Sequence, residues 1–553
     1  MMEKVYVVTL KNFDDLDQFY DDMETPGGSL YIPNRKVSCD LRRSISRNTH
    51  YRLTKSEAES LRKDSRVLAV ELLPSELGLE ATPYWTQTGV FEKSSTIDFS
   101  DKNWGLLRII EGGQAAGWGT NSQFTQRSAT IKTTSSGKNV DVVIVDAHIN
   151  PNHPEFATNS DGTGESRVNQ LDWFQYSSAI GVSTTGTYDY TDISSNHGTH
   201  VAGTLAGNTQ GWARDSRIFN MEFNYEGTNF TGGNWELVIF DYLRYWHKNK
   251  DINPQTGRRN PTIVNNSWGY SYSVNFQLAD VFQVMYRSTV TTLAGLSNVI
   301  KKQALEENGV PVPFNTYLYR IPSRYTALDA DVQDAINDGL IIVGSAGNSY
   351  WNCATDTSQD WDNFIIVSGQ QIFHSRGSSP TAAANSICVG SIGTTSQEYK
   401  SNFSNYGARV DLYAPGSNIV SSVYDTTAAA EFGITLENDP RSPLYKIGSI
   451  SGTSMSSPQV SGLLACLAEQ LPNINQTVAR QYILAASKTG QISSTGGAAG
   501  DYTSLGTTSN NRYAYYAKDR PENGLSNPKY NFSVRQSTGM LYPRVPIQRR
   551  NVS

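Results

Sequence analysis

Nowhere in the 553 residues do eighteen apolar residues follow one another, so no membrane-spanning helix is expected. Cysteine is scarce: Cys39, Cys353, Cys388 and Cys466 are the only four, and no two form a C-x-x-C pair. That excludes a disulfide-dense scaffold and the common thiolate zinc sites. The count fits a reduced compartment, with a Cys353–Cys388 bridge as the alternative; Cys466, inside an apolar run, reads as a small core residue. Positive charge is not in surplus either. The net charge is -6, and the one clustered pair of cations of note is Arg549-Arg550, so a basic nucleic-acid-binding face is not expected. Residues 1–10 alternate apolar with polar and run into Asp14, Asp15 and Asp17, which reads as a strand and not as the core of a signal peptide. The expectation is a chain cytoplasmic at synthesis; association with a virion or export by another route stays open.

What is present supports a large folded core: 38% hydrophobic and 11% aromatic residues over a length of roughly three or four domain-sized units. Residues 1–80 read strand, helix, strand, helix, strand, a small α+β domain. The second helix opens on a capping-box pattern at Thr54 and Glu57. Residues 81–135, rich in Ser, Thr, Gly and Gln, read as a linker and lead-in, with residues 104–110 as one ordered segment. From residue 136 to 490 the pattern is that of an α/β domain. Continuous apolar strands are expected at 140–145, 218–223, 262–266, 340–343, 387–389 and 410–413, with helices at 201–205, 235–247 and 328–337 between them. That alternation predicts a doubly wound, mainly parallel sheet whose site lies at the carboxyl ends of its strands. Residues 270–326 form an extra block with a predicted helix at 276–292. Residues 491–553 read as a polar C-terminal tail.

Four stretches carry chemistry. Asp146 closes the first apolar strand. His197 begins a helix packed with small residues, Asn196-His197-Gly198-Thr199-His200-Val201-Ala202-Gly203. Gly344-Ser345-Ala346-Gly347-Asn348 follows a strand and offers an amide donor. Gly452-Thr453-Ser454-Met455-Ser456-Ser457-Pro458 places a hydroxyl in the first turn of an apolar helix, amid unpaired backbone N–H groups. Each alone has a plain reading: a turn aspartate, a packed histidine, a turn asparagine, an N-capping serine. Together they supply what nucleophilic catalysis by serine requires. The hydroxyl is a weak nucleophile until a base takes its proton, imidazole has a pKa near neutrality, a carboxylate fixes its tautomer, and a donor meets the oxyanion. His200 reads as structural, since no third zinc ligand lies at the usual spacing.

The order Asp, His, Ser and the wording of these motifs resemble the subtilisin-like serine proteases. Asn266-Ser267-Trp268-Gly269 resembles the family's substrate-pairing strand. Tyr413-Ala414-Pro415-Gly416 and Trp104-Gly105-Leu106 also look like family landmarks. The resemblance covers roughly residues 103–490. It implies Ser454 as nucleophile, His197 as general base and acid, Asp146 as its orienter, and Asn348 with the Ser454 backbone N–H as the oxyanion hole. It implies that Ser267, Trp268, Gly269, Ala346 and Gly347 bind substrate, and that the block at 270–326 borders the non-prime side of the cleft. By the same resemblance residues 1–80 look like an inhibitory propeptide of ferredoxin-like fold, with processing expected within 75–102. Partners would be a protein or peptide substrate and the chain's own N-terminal domain, with no nucleic acid and no membrane.

No cofactor is implied as required. Glu155, nine residues after Asp146, falls where the family often carries a calcium-binding carboxylate, but no accompanying ligand set is recognisable. Two departures stand out. Ala147 and His148 occupy positions where the family usually has a small hydroxyl residue and then glycine. They motivate a second reading, a catalytically weak or silent, structural or virion-associated protein that kept the fold. An α/β-hydrolase is excluded by the missing G-x-S-x-G elbow and by the serine coming last.

Overall fold

A computed structural model describes residues 3–33, 37, 39–41, 48–72, 85–92, 104–112, 126–133, 135–182, 184, 186–191, 195–222, 235, 238–272, 275–383, 385–393, 398–496, 502–506 and 509–516. The chain divides into two compact units, Met1–Pro83 and Tyr84–Ser553.

In the first unit the strand Lys4–Leu10 buries every second residue, Tyr6, Val8 and Leu10, beneath two helices, Leu16–Glu24 and Lys55–Leu61. The sheet runs Cys39–Leu41, Asn48–Leu53, Lys4–Leu10, Val67–Leu72, antiparallel throughout. This β-α-β-β-α-β order is the ferredoxin-like arrangement. The capping box is formed: the Glu57 N–H donates to Thr54 Oγ1, and the Thr54 N–H donates to Glu57 Oε2 at 2.7 Å.

The second unit is built on a parallel sheet in the spatial order Val168–Asn169, Arg217–Glu222, Asp141–Asp146, Thr262–Asn266, Ile341–Ser345, Ile387–Ile392, Leu412–Pro415. These strands are rich in buried apolar residues because both faces are covered. Val142 and Ile144 face one core, with the helices His197–Ala206, Thr453–Gln470 and Gln476–Ala486; Val143 and Val145 face the other, with Ile239–Asn249 and Thr326–Asn337. Strand order reverses beside Asp141–Asp146, so a crevice opens at the carboxyl ends of that strand and of Thr262–Asn266. The helices His197–Ala206 and Thr453–Gln470 approach closely there. A Cβ on Gly462 would lie 2.7 Å from the Leu205 carbonyl oxygen, so only glycine fits.

Three expectations are corrected. The helix predicted at 276–292 is a β-hairpin, Val281–Tyr286 with Thr289–Thr292, turned through Arg287 and Ser288 at positive φ. It forms a four-stranded antiparallel sheet with Phe364–Val367 and Gln370–Phe373, and these share a core of their own with the helix Asn298–Glu307. The apolar spacing at Val281 and Val284 mimics a helical turn, and the strand that pairs with it lies far along the chain. The block at 270–326 is thus half of a satellite layer completed by residues 351–373. Secondly, residues 81–135 are more than a linker: Trp85–Glu92 pairs with Gln126–Thr133, and Trp104–Glu111 is a helix. Thirdly, the polar tail begins later than 491. Arg512–Tyr513 adds to the main sheet beside Leu412–Pro415, and Tyr513 and Ala514 are buried. Residues 517–553, with Arg549-Arg550, and the expected processing segment outside 85–92 lie outside the described residues. Among the described residues no helix is long and apolar enough to cross a membrane.

Candidate active site

Asp146 ends its strand 1% exposed, and its Oδ1 accepts the Ala147 N–H at 2.8 Å. The same oxygen lies 2.7 Å from His197 Nδ1, the first residue of its helix. The histidine is pressed in by a tight contact behind it: a Cβ on Gly198 would fall 2.0 Å from the Ala147 carbonyl oxygen. Asp146 Oδ2 is buried with no hydrogen-bond partner among the described residues. Ala147 brings no hydroxyl to it. Burial opposes the imidazolium of His197, but the charge and hydrogen bond of Asp146, with the charge of Glu431, outweigh it and hold its pKa above the ordinary value.

Ser454 is the second residue of its helix and is 8% exposed. Its hydroxyl donates to the Ser267 carbonyl at 3.1 Å and makes no hydrogen bond to His197. The pairing is reciprocal, for a reason the sequence holds. Pro458 lacks the N–H that would close the helical bond to the Ser454 carbonyl. That freed carbonyl accepts the Ser267 hydroxyl at 3.0 Å. Ser267 Oγ also accepts Asn265 Nδ2 at 2.9 Å, so this side chain braces the first turn of the Ser454 helix. Trp268 is buried, and Gly269 is exposed at the rim.

Asn348 is exposed, and its amide is fixed from behind. Its Oδ1 accepts the Thr453 N–H at 2.8 Å and the Thr453 hydroxyl at 2.7 Å. Since the oxygen must face those donors, the NH2 points away from them and donates to nothing among the described residues. Thr453 Oγ1 also accepts the Gly347 N–H at 3.1 Å. Behind this, Asn405 accepts from the N–H groups of Ser349 and Trp351 and donates to the Ala346 carbonyl, the last at 2.8 Å. Gly347 sits at φ +103° against Asn405, where a Cβ would meet Nδ2 at 2.5 Å. The Ser454 N–H belongs to the first turn, whose donors a helix leaves without internal acceptors. Thr453 and Asn405 are residues that sequence reasoning passed over; Thr453 stood in the quoted motif as a mere turn residue. Thr453→Val should lower kcat by about tenfold with KM little changed, from the loss of about 1–1.5 kcal/mol of amide orientation, as read from steady-state peptide hydrolysis.

The remaining sequence candidates have structural posts. His200 is buried, its Nε2 3.0 Å from the Ile419 carbonyl oxygen, and burial pushes its pKa down to about 3, so it stays neutral. His148 is buried away from the nucleophile, with Nε2 3.1 Å from Glu222 Oε2. Cys353 and Cys388 are both buried and unbridged.

Glu155 does not fit a calcium ion. It is fully buried, the Arg441 guanidinium and the Thr209 hydroxyl hold Oε1, and Oε2 accepts the Thr209 N–H at 2.9 Å and the Gln210 N–H at 3.2 Å. Calcium takes six to eight oxygens, and here a guanidinium stands where the cation would. Among the described residues no group of three or more His, Cys, Asp or Glu could hold a metal ion.

The carboxyl ends of this parallel sheet thus carry a carboxylate-oriented imidazole, a hydroxyl at a helix start and a back-braced amide. The chain belongs to the subtilase family, peptidase S8, whose model matches residues 137–515. It is similar to the alkaline proteinase of Hapsidospora chrysogena, 24% identical over 496 residues, which are 89% of each chain. It is also similar to alkaline serine exoprotease A of Vibrio alginolyticus, 32% identical over 171 residues, 31% of this chain and 24% of the relative. Among solved structures, a cold adapted subtilisin-like serine proteinase matches with a TM-score of 0.43 and 23% identity, covering 74% of this chain and 97% of the other.

Proposed function

We propose that the chain is a serine endopeptidase acting through an acyl-enzyme, with Ser454 as nucleophile, His197 as base and then acid, and Asp146 as orienter. The observation that carries this reading is the 2.7 Å hydrogen bond that His197 Nδ1–H donates to Asp146 Oδ1, which favours the tautomer with Nε2 as the free base. Substrate entry would turn the Ser454 hydroxyl from the Ser267 carbonyl to that Nε2. Attack on the scissile carbonyl would place the oxyanion between the Asn348 NH2 and the Ser454 N–H. His197 would then pass its proton to the leaving amine, and water would release the acyl group by the reverse steps. Ser267–Gly269 and Ala346–Gly347 would flank the substrate peptide.

The first unit, by its ferredoxin-like form, would be an intramolecular inhibitor of a self-processing zymogen. An active-site serine phosphonate is the decisive reagent. Labelling that disappears in Ser454→Ala supports the enzyme. Mass spectrometry of the N-terminus of the same preparations should find a cut within 75–102 in the wild type and none in the variant. The second reading, a silent protein on the same fold, draws on Ala147 and on the Ser454 hydroxyl being turned to Ser267. An unlabelled chain, once freed of residues 1–80, would establish that reading instead.

A further inference from the structure

The helix that presents His197 has an unusual start. Asn196, its N-cap residue, has helical backbone angles, and its side chain makes no capping bond. The first turn is tied instead to Glu431, on the short helix Ala428–Phe432. Glu431 Oε2 accepts both the Asn196 backbone N–H and Asn196 Nδ2 at 2.9 Å, and Oε1 accepts the Ser195 hydroxyl. Ser195 Oγ in turn accepts the His197 N–H at 3.1 Å. Asn196 is further held by Thr427 Oγ1 at 2.8 Å and by the Asp425 N–H at 2.9 Å. One carboxylate thus gathers the donors on both sides of the peptide that leads into His197.

We propose that Glu431 is a positioning residue for His197: its carboxylate replaces the missing N-cap and ties down the turn that presents the imidazole. The link to catalysis rests on the proposed serine-protease reading. Few charged groups face His197. Asp146 comes from the sheet. His200, one turn on, is neutral. Asp425, in the same turn as Glu431, spends its Oδ1 on the N–H and hydroxyl of Thr427. The first turn of the Ser454 helix and the strand Ile419–Val423 bring no charge. A helix N-terminus disfavours a cation, and a carboxylate placed there offsets it. Removing the Glu431 charge therefore lowers the His197 pKa.

The test is the titration of the His197 imidazole by NMR in the full-length chain labelled with 13C-histidine, in a Ser454→Ala background that prevents self-digestion. The His197 signal is assigned by its loss in His197→Gln. Glu431→Gln should move the midpoint down by on the order of half a unit, and Glu431→Asp, which keeps the charge, should restore most of it. In the Ser454→Ala chain without a second change, raising the salt should also move the midpoint down, because Glu431 is exposed and Asp146 is buried. That measurement stands even where Glu431→Gln fails to fold. With Ser454 present, the acid limb of kcat/KM in Glu431→Gln should shift down by the same amount. An imidazole midpoint unmoved by both the substitution and salt overturns the role of Glu431. Absent phosphonate labelling overturns the protease reading and leaves the titration to decide on Glu431.

Discussion

Ser454→Ala is expected to lower kcat by about 10⁶-fold, and His197→Ala by a similar factor, with the double variant scarcely worse than either. The non-additivity follows from the site's geometry. The hydroxyl has no base other than His197 within the described crevice, and the imidazole has no other proton to take, so losing either disables the same step. Asp146→Asn should cost about 10⁴-fold, because an amide facing Nδ1 stabilises the wrong tautomer. The residual rate in all three would come from the Asn348 amide and the bound geometry. Hydrolysis of a fluorogenic peptide pool checks this, with the protein titrated by circular dichroism for folding. A loss of less than tenfold in folded Ser454→Ala would remove the serine from the mechanism.

The largest expected loss of stability follows from Arg441→Met. Glu155 is fully buried; burial opposes its charge, and Arg441 with Thr209 outweighs that and holds its pKa below the usual range. Arg441 is itself 13% exposed on its side chain and also pairs with Asp439. Removing the guanidinium strands a buried carboxylate, at a cost of about 3–5 kcal/mol. Denaturant unfolding in a Ser454→Ala background measures this without self-digestion. Glu155→Gln combined with Arg441→Met should recover the part of the loss that falls on Glu155, while the buried Asp439 still lacks its partner. A depressed carboxyl pKa contributes stability that is full above the unfolded value and lost as pH falls through the folded one. Without Arg441 burial alone acts on Glu155 and raises its pKa, so the gap between wild type and Arg441→Met should narrow as the pH falls through the variant's raised value towards the wild type's depressed one. A chelator should leave the wild-type midpoint unmoved, since protein groups already satisfy Glu155. A midpoint that falls on chelation would refute the pairing.

Much of the parallel sheet was legible because strands buried on both faces carry short runs of branched apolar residues; Thr262–Asn266 matches the predicted bounds. The candidate site residues stand out in the sequence because the chemistry proposed for them demands rare residue types inside small-residue contexts. What holds those residues does not. The bracing hydroxyl of Ser267 becomes visible only once Pro458 is seen to free the carbonyl that it binds. Glu431 lies 234 positions after His197 among alanines, with no pattern to mark it. The hairpin at 281–292 looked helical because its pairing strand lies about 80 residues on, and local spacing carries no trace of a distant edge.

That last arrangement bears on how the chain is made. The hairpin of the satellite layer leaves the ribosome some 70 residues ahead of Phe364–Val367. At about 5–20 residues per second, its inner edge stays open for roughly 4–14 s. During that interval Ile341–Ser345 and the Asn348 turn emerge between the two halves. The candidate oxyanion segment is therefore synthesised inside a loop whose ends have not yet met. Its final geometry depends on a closure that comes after it, and an exposed strand edge invites the wrong partner until then.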